Sequence, residues 1–416
     1  MVKLRRHFAG STALLLASNA AASPLLGNLI SSSPVSLPFA RRVNTTGVSN
    51  MVQLDKARAQ ALRAKAEGGS GSTGVFNDLG DSQAVNYVVT VSIGNPPTDY
   101  ELLVDTGSSN TWVGAGQPYQ ITSTSKPTLS TVHVDYGSGK MVGTEWIDTI
   151  TIGGDLTIAD QSIGVAAMTR GFDGVDGILG VGPTDLTCGT LTDTSECIPT
   201  VLDSANDQGL LDSYMLGISF KPTNMMEEVN GVLTFGGVDD SRYVGELHWV
   251  PLTTTEPANQ FVGIDQDMLY GTKDSTTVLL EGASGIVDTG TSLLLIASDA
   301  FQQYLTLTGA TPDDATGLLK IDPKDYAKVH SLWFRIGQHT YELTREAQTW
   351  PRSLNGAMGG DEDAIYLVVN DLGCLSGSGL DFINGMVWLE RFYAVFDVGG
   401  GRVGFAPAPW SGGASS

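Results

Sequence analysis

Three cysteines in 416 residues are too few for a disulfide scaffold, and no cluster of histidines accompanies them to make a zinc site. The usual hydrolase signatures are missing as well. There is no H-E-x-x-H, no G-x-S-x-G placed between a strand and a helix, and the five histidines are scattered. Beyond the N-terminal leader, no apolar run approaches the length needed to span a bilayer. Two G-x-G-x-x-G matches, Gly69-Gly71-Gly74 and Gly399-Gly401-Gly404, lie outside any βαβ unit. They read as a linker and a hairpin turn, not as nucleotide-binding loops.

Charge is sparse too, at 16 % of residues, whereas glycine is abundant at 51. Short runs rich in Val, Ile, Thr, Leu and Tyr alternate with Gly, Asp, Asn and Ser turns, which predicts a mostly β protein. The charges are unevenly placed. Residues 1–80 hold 9 Lys/Arg against 3 Asp/Glu, whereas residues 81–416 hold 14 against 42. So acidic a body repels nucleic acid and anionic membranes, and neither is an expected partner. In acid its carboxylates protonate, and few strong bases remain to repel one another.

The first residues have the layout of a secretory signal peptide: Lys3, Arg5 and Arg6, an apolar run around Leu14–Ala17, then small residues at Ala20–Ser23. Residues 1–22 are therefore expected to direct export, and the protein to be extracellular. Residues 24–49 read as irregular and hold the one N-x-S/T sequon, at Asn44. A helix is predicted from Asn50 to Glu67, opened by the Asn50/Gln53 spacing of a capping box and carrying Lys56, Arg58, Arg63 and Lys65. GGSGSTG at 68–74 follows as a flexible linker. Residues 23–78 thus form a basic segment before an acidic body, as a pro-segment held by charge would. In an exported protein, Cys188 and Cys197 are close enough in sequence to close a small loop, leaving Cys374 unpaired.

The body contains a repeat. ELLVDTGSSNTWV at 101–113 and GIVDTGTSLLL at 285–295 each deliver an Asp-Thr-Gly from an apolar strand, 183 residues apart. Two similar β lobes, 79–248 and 249–416, would bring Asp105 and Asp288 together where their loops meet. Two carboxylates at hydrogen-bonding distance cannot both ionise cheaply, so the pair keeps one proton. One member can then deprotonate a water while the other protonates a carbonyl oxygen, which is what amide hydrolysis requires without cofactor or metal. Gly107 and Gly290 allow each loop to turn sharply beside the other. Thr106 and Thr289 can bond across to the opposite loop, and Ser108 and Thr291 can donate to the carboxylates.

With its two D-T-G motifs and the intervening VDYGSGK, the chain resembles pepsin-family aspartic proteases, most closely the secreted fungal enzymes of the polyporopepsin type. Matching stretches run from about Tyr87 to Pro407, including FDGVDGILGVGP and DFINGMVWLERFYAVFD. The resemblance implies an all-β, bilobal fold with a cleft for an extended peptide. It implies that Asp105 and Asp288 are the catalytic dyad, whose shared proton is the established behaviour of this family. Tyr136 resembles the tyrosine of a flap that closes over substrate, with Gly137 and Ser138 offering contacts and Trp112 supporting the tyrosine. Gly107, Gly290 and Thr291 would meet the substrate backbone, while Leu103 and Ile178 would line apolar pockets; as ordinary core residues they would fit equally well.

Two features depart from the family pattern. Ile383-Asn384-Gly385-Met386 lacks the carboxylate that many relatives carry after that glycine, and the three-disulfide pattern of the animal enzymes is absent. A pro-segment lysine caps the dyad in those relatives, and Lys56 and Lys65 are the candidates here. The expected activity is that of a secreted endopeptidase made as a zymogen, working in acid on protein or peptide substrates. A peptide-binding relative without activity would have lost an aspartate or the flap. Both motifs in one chain argue for a monomer and against a single-lobe dimeric protease.

Overall fold

The computed structural model describes residues 34–43, 51–66, 85–136 and 139–412. The leader, Asn44, the linker at 68–74, and Gly137 and Ser138 lie outside the described residues. Strand β1 (Val35–Val43) and helix α1 (Met51–Ala66) come first. The first repeat supplies β2 (Val85–Ile93), β3 (Thr98–Asp105), β4 (Trp112–Val113), β5 (Lys126–Asp135), β6 (Lys140–Ile152), β7 (Leu156–Arg170) and β8 (Gly177–Gly180). β9 (Met215–Phe220), β10 (Glu227–Phe235) and β11 (His248–Pro251) link it to the second. There follow β12 (Gly263–Thr272), β13 (Ser275–Val287), β14 (Leu294–Ile296), β15 (Thr311–Pro312), β16 (Leu319–Ile321), β17 (Ser331–Ile336) and β18 (His339–Leu343). β19 (Ile365–Leu367), β20 (Val369–Asp371), β21 (Phe382–Asn384), β22 (Phe392–Asp397) and β23 (Arg402–Pro407) complete the chain.

The repeat seen in the motifs is also a repeat of topology. β3, which ends in Asp105, runs parallel to β8, and β4 lies antiparallel on the other side of β8. β13, which ends just before Asp288, runs parallel to β21, and β14 lies antiparallel on its other side. Each Asp-Thr-Gly therefore sits in a loop that links two strands across a third contributed from later in the chain. These strands are apolar on both faces because both faces are covered; Leu102, Leu103 and Val104 are all buried. The result is the expected all-β fold with two lobes. Cys188 and Cys197 are bridged as expected, and Cys374 is a free thiol. The turn at 399–401 joins the hairpin β22–β23.

Residues 24–49 read as irregular in sequence, yet Val35–Val43 forms β1, inserted between β10 and β2. Its inward residues alternate: Leu37, Phe39, Arg41 and Val43 are buried. Phe39 packs edge-on against Tyr87 and Phe220 at ring distances of 5.2 and 4.9 Å, a burial worth roughly 2 kcal/mol. Pro38 is tolerated because pairing with β2 begins only at Phe39.

Candidate functional site

Asp105 ends β3 and Asp288 directly follows β13; both are fully buried and lie within reach of one guanidinium nitrogen. The two loops bond by matched pairs. The Thr106 amide donates to Thr289 Oγ1 at 3.1 Å, and the Thr289 amide donates to Thr106 Oγ1 at 3.0 Å. Each hydroxyl then donates onward to the strand entering the other loop, Thr289 to the Val104 carbonyl and Thr106 to the Val287 carbonyl. Within each loop the bonds repeat. Ser108 Oγ donates to Asp105 Oδ2 at 2.5 Å and Thr291 Oγ1 to Asp288 Oδ2 at 2.6 Å, while the Gly107 and Gly290 amides donate to Oδ1 of their own aspartates. A Cβ on Gly107 would lie 2.8 Å from Asp288 Oδ1, and one on Gly290 2.8 Å from Asp105 Oδ1. Any side chain there would strike the opposite carboxylate, so the close approach of the loops demands glycine.

The hairpin of β5 and β6, where the flap is expected, is closed by the Tyr136 amide donating to the Gly139 carbonyl at 2.8 Å. Trp112 Nε1 donates to Tyr136 Oη at 2.7 Å, and Phe172 packs edge-on against both rings. Leu103 and Ile178 join Val88, Val134 and Met141 in the small apolar cluster beneath these aromatics. The structure thus gathers Tyr136, Trp112, Leu103 and Ile178 beside the first loop.

Helix α1 fills the space between flap and aspartates. Neither Lys56 nor Lys65 reaches the carboxylates: Lys56 Nζ lies 3.7 Å from Asp371 Oδ2, and Lys65 Nζ donates to the Leu186 carbonyl at 2.8 Å. Arg58 does so instead. Its Nε and Nη2 donate to Asp288 Oδ2 and Oδ1 at 2.7 and 2.9 Å, and Nη2 also donates to Asp105 Oδ1 at 2.5 Å. A guanidinium has a planar fork that spans both carboxylates at once, which a single ammonium cannot do. One turn earlier, Asp55 accepts the Ser292 and Leu293 amides at 3.1 and 2.8 Å. The sequence held a signal for Arg58. Met51, Asp55, Arg58 and Leu62 follow each other at helical spacing and are all buried. Lys65 continues that stripe one turn beyond Leu62, whereas Lys56 lies off it. The pattern thus favours Arg58 and Lys65 over Lys56, and the burial of Arg58 mid-stripe singles it out.

The electrostatics follow from this burial. Desolvation pushes the Asp288 carboxyl up, but the Arg58 charge and the bonds from Arg58, Thr291 and Gly290 outweigh it and hold it below the usual aspartate range. Burial lowers Arg58, but the two aspartates more than compensate and keep it charged. Burial lowers Lys65 to about 8. Asp55 has no such dominant cation, and burial raises it to about 7 in spite of its two amide donors.

Comparison with known proteins places this geometry. Residues 86–408 match the model of the family described as eukaryotic aspartyl protease. The chain is 54 % identical over 326 residues to polyporopepsin from Irpex lacteus, covering 78 % of this chain and 95 % of that one. It is 31 % identical over 349 residues to cathepsin E from Oryctolagus cuniculus, covering 78 % and 81 %. The crystal structure of the aspartic proteinase from Irpex lacteus superposes with a TM-score of 0.79 at 47 % identity, covering 92 % of this chain and all of that one. The chain belongs to the eukaryotic aspartyl protease family and is a pepsin-like, aspartic-type endopeptidase.

Proposed function

We propose that this chain is the zymogen of a secreted endopeptidase that hydrolyses peptide bonds in acid, with Asp105 and Asp288 as its catalytic pair. The observation that carries the reading is the pair itself: two buried carboxylates, each supported by the same hydroxyl and amide donors, sharing one guanidinium nitrogen. Without the cation, the two must share a proton. The ionised member takes a proton from a bridging water as the oxygen attacks the scissile carbonyl carbon, and the other gives its proton to the carbonyl oxygen. Transfer of a proton to the amide nitrogen then lets the C–N bond break. Tyr136, held by Trp112, would cover the substrate, with Gly137, Ser138, Gly290 and Thr291 along its backbone.

In this reading residues 1–22 are the export signal, 23–78 the pro-segment and linker, and 79–248 and 249–416 the two lobes of a monomeric enzyme. Arg58 supports the zymogen assignment, since a substrate carbonyl and Arg58 cannot occupy the same place. The sign of the pH effect agrees. Asp288 is lowered while α1 is docked, so docking is favoured above the usual aspartate range and loses that support as pH falls through it. No helix among the described residues is long and apolar enough to cross a membrane.

The test is cleavage of a denatured protein at about pH 4 by the wild type and by Asp288→Asn, where a pair must hold one proton. Cleavage by the wild type alone is expected. Silence from both, with α1 removed, would favour a peptide-binding relative. Equal cleavage by both would assign the chemistry to another residue.

A further inference from the structure

Helix α1 lies where the proposed substrate would lie, and its cations report what the cleft walls offer a basic side chain. Arg58 meets the two aspartates. Arg63 meets the Cys374 sulfur at 2.7 Å and the Leu380 carbonyl at 3.1 Å, and Lys65 meets the Leu186 carbonyl. Among the described residues, Lys56 alone of these four forms an ion pair with a carboxylate outside the central pair, that of Asp371.

Asp371 is built to hold its charge in one place. It ends β20, which runs parallel to β14, the strand leaving the second aspartate loop, with Asp371 opposite Ile296. Its Oδ1 accepts from Ser298 Oγ at 2.6 Å and from the Gly373 amide at 2.9 Å. Those donors fix the carboxylate plane and leave Oδ2 directed at Lys56. Lys56 and Arg58 are about 3 Å apart along the helix axis but leave it on nearly opposite sides. Their charged heads are therefore separated by one helix diameter, roughly 10–12 Å, and a peptide strand rises about 3.3 Å per residue. At that separation Asp371 stands about three substrate residues from the bond that Asp105 and Asp288 would cleave.

We propose that Asp371 is a specificity-determining residue that, once α1 has left, favours Lys or Arg at one substrate position close to the scissile bond. The proposal rests on the protease reading. A peptide with lysine at that position replaces the Lys56–Asp371 pair by an intermolecular one. Partly exposed pairs of this kind are modest, so the preference for lysine over norleucine is expected to be about fivefold in kcat/KM. Glutamate at the same position should be disfavoured.

The experiment uses the full chain, brought to acid until its cleavage of an uncharged peptide is constant. A panel carries Lys, norleucine or Glu in turn at each of three positions on either side of an apolar cleavage site, assayed at pH 5 and low salt. One position should favour Lys about fivefold, and the Lys-to-norleucine ratio there should fall to about one in Asp371→Asn. The ratio is taken within each protein, so a change in overall activity does not enter it. High salt should erode the wild-type ratio, a readout that needs no variant. The proposal is overturned if no position favours lysine, if the preference survives Asp371→Asn, or if salt leaves it unchanged. A chain that cuts no peptide at all would defeat the protease reading instead, and is distinguishable because the uncharged peptide then also stays intact.

Discussion

The two aspartate loops are alike bond for bond, yet their surroundings differ. Asp105 and Asp288 have the same hydroxyl donor three residues on and the same glycine amide two residues on. The likeness ends where the motifs diverge, in SSNTW against TSLLL. Seven residues past each aspartate, Trp112 pairs with Ile178 in the first lobe and Leu295 pairs with Ile383 in the second. The tryptophan donates to Tyr136 Oη, whereas leucine has no side-chain donor. On the second side it is the backbone after the loop, Ser292 and Leu293, that is engaged, by Asp55 of α1. The likeness thus covers the two loops and the three strands that carry each of them. The hairpin that lies over α1 belongs to the first lobe, and the backbone after the second loop anchors α1.

The largest effect should come from testing the symmetry itself. Asp105→Asn and Asp288→Asn are each expected to lower kcat by about 10⁴-fold or more, and the double variant should be no worse than either. A marked difference between the single variants, measured on one peptide, would break the equivalence of the loops. Arg58 is the element that ties the two together. Removing one member of a buried charged set costs about 3 kcal/mol, so Arg58→Ala should shorten the lag before activity appears at pH 5 by at least tenfold. Arg58→Lys, keeping the charge but losing the fork, should fall between. A lag unchanged in Arg58→Ala would mean that the apolar stripe of Met51, Leu54 and Leu62 holds the helix by itself.

What could be read from the sequence was what is local. The D-T-G loops, the VDYGSGK hairpin, the Cys188–Cys197 loop and the helix at 51–66 each declare themselves within about a dozen residues. β1 was hidden because Pro38 and the neighbouring serines mask its alternation, and because its partners β2 and β10 lie far along the chain. Lys56 and Asp371 are even more distant in sequence, so no spacing could pair them. Arg58 was legible in principle as one of two cations, with Lys65, on the inward stripe, and as the one flanked by apolar or buried residues on both sides. Attention to the lysine of related enzymes pointed elsewhere, whereas geometry favours the group that can bridge two carboxylates.

A smaller effect would sharpen the contrast between the lobes by pH. Glu145, on β6 of the flap hairpin, is buried; its Oε1 accepts from Ser162 Oγ at 2.6 Å and its Oε2 has no partner. Burial raises it to about 7 against that one bond. A carboxyl raised on folding keeps its proton in the folded state, so the fold loses stability as pH climbs from the usual glutamate range through 7. Glu145→Gln stays neutral throughout. It should melt somewhat below the wild type at pH 4, where only the cost of burying the new amide shows, and a few degrees above it at pH 8, a gain on the order of 1–2 kcal/mol after that cost. Equal melting temperatures at pH 8 would mean that Glu145 does not limit the first lobe.

The smallest expected effect isolates a bond without a counterpart at the matching place in the second lobe. Trp112→Phe keeps an aromatic ring against Phe172 but removes the donor to Tyr136 Oη. A hydrogen bond of this kind contributes about 1 kcal/mol, so kcat/KM on a short peptide should fall about fivefold. Leu295→Met, at the matching place in the second repeat, changes little but packing and should leave kcat/KM within twofold. If Trp112→Phe costs stability but not kcat/KM, the tryptophan serves only the core beneath the flap. The asymmetry between the lobes would then be one of packing, with the tyrosine held by Phe172 and the hairpin turn alone.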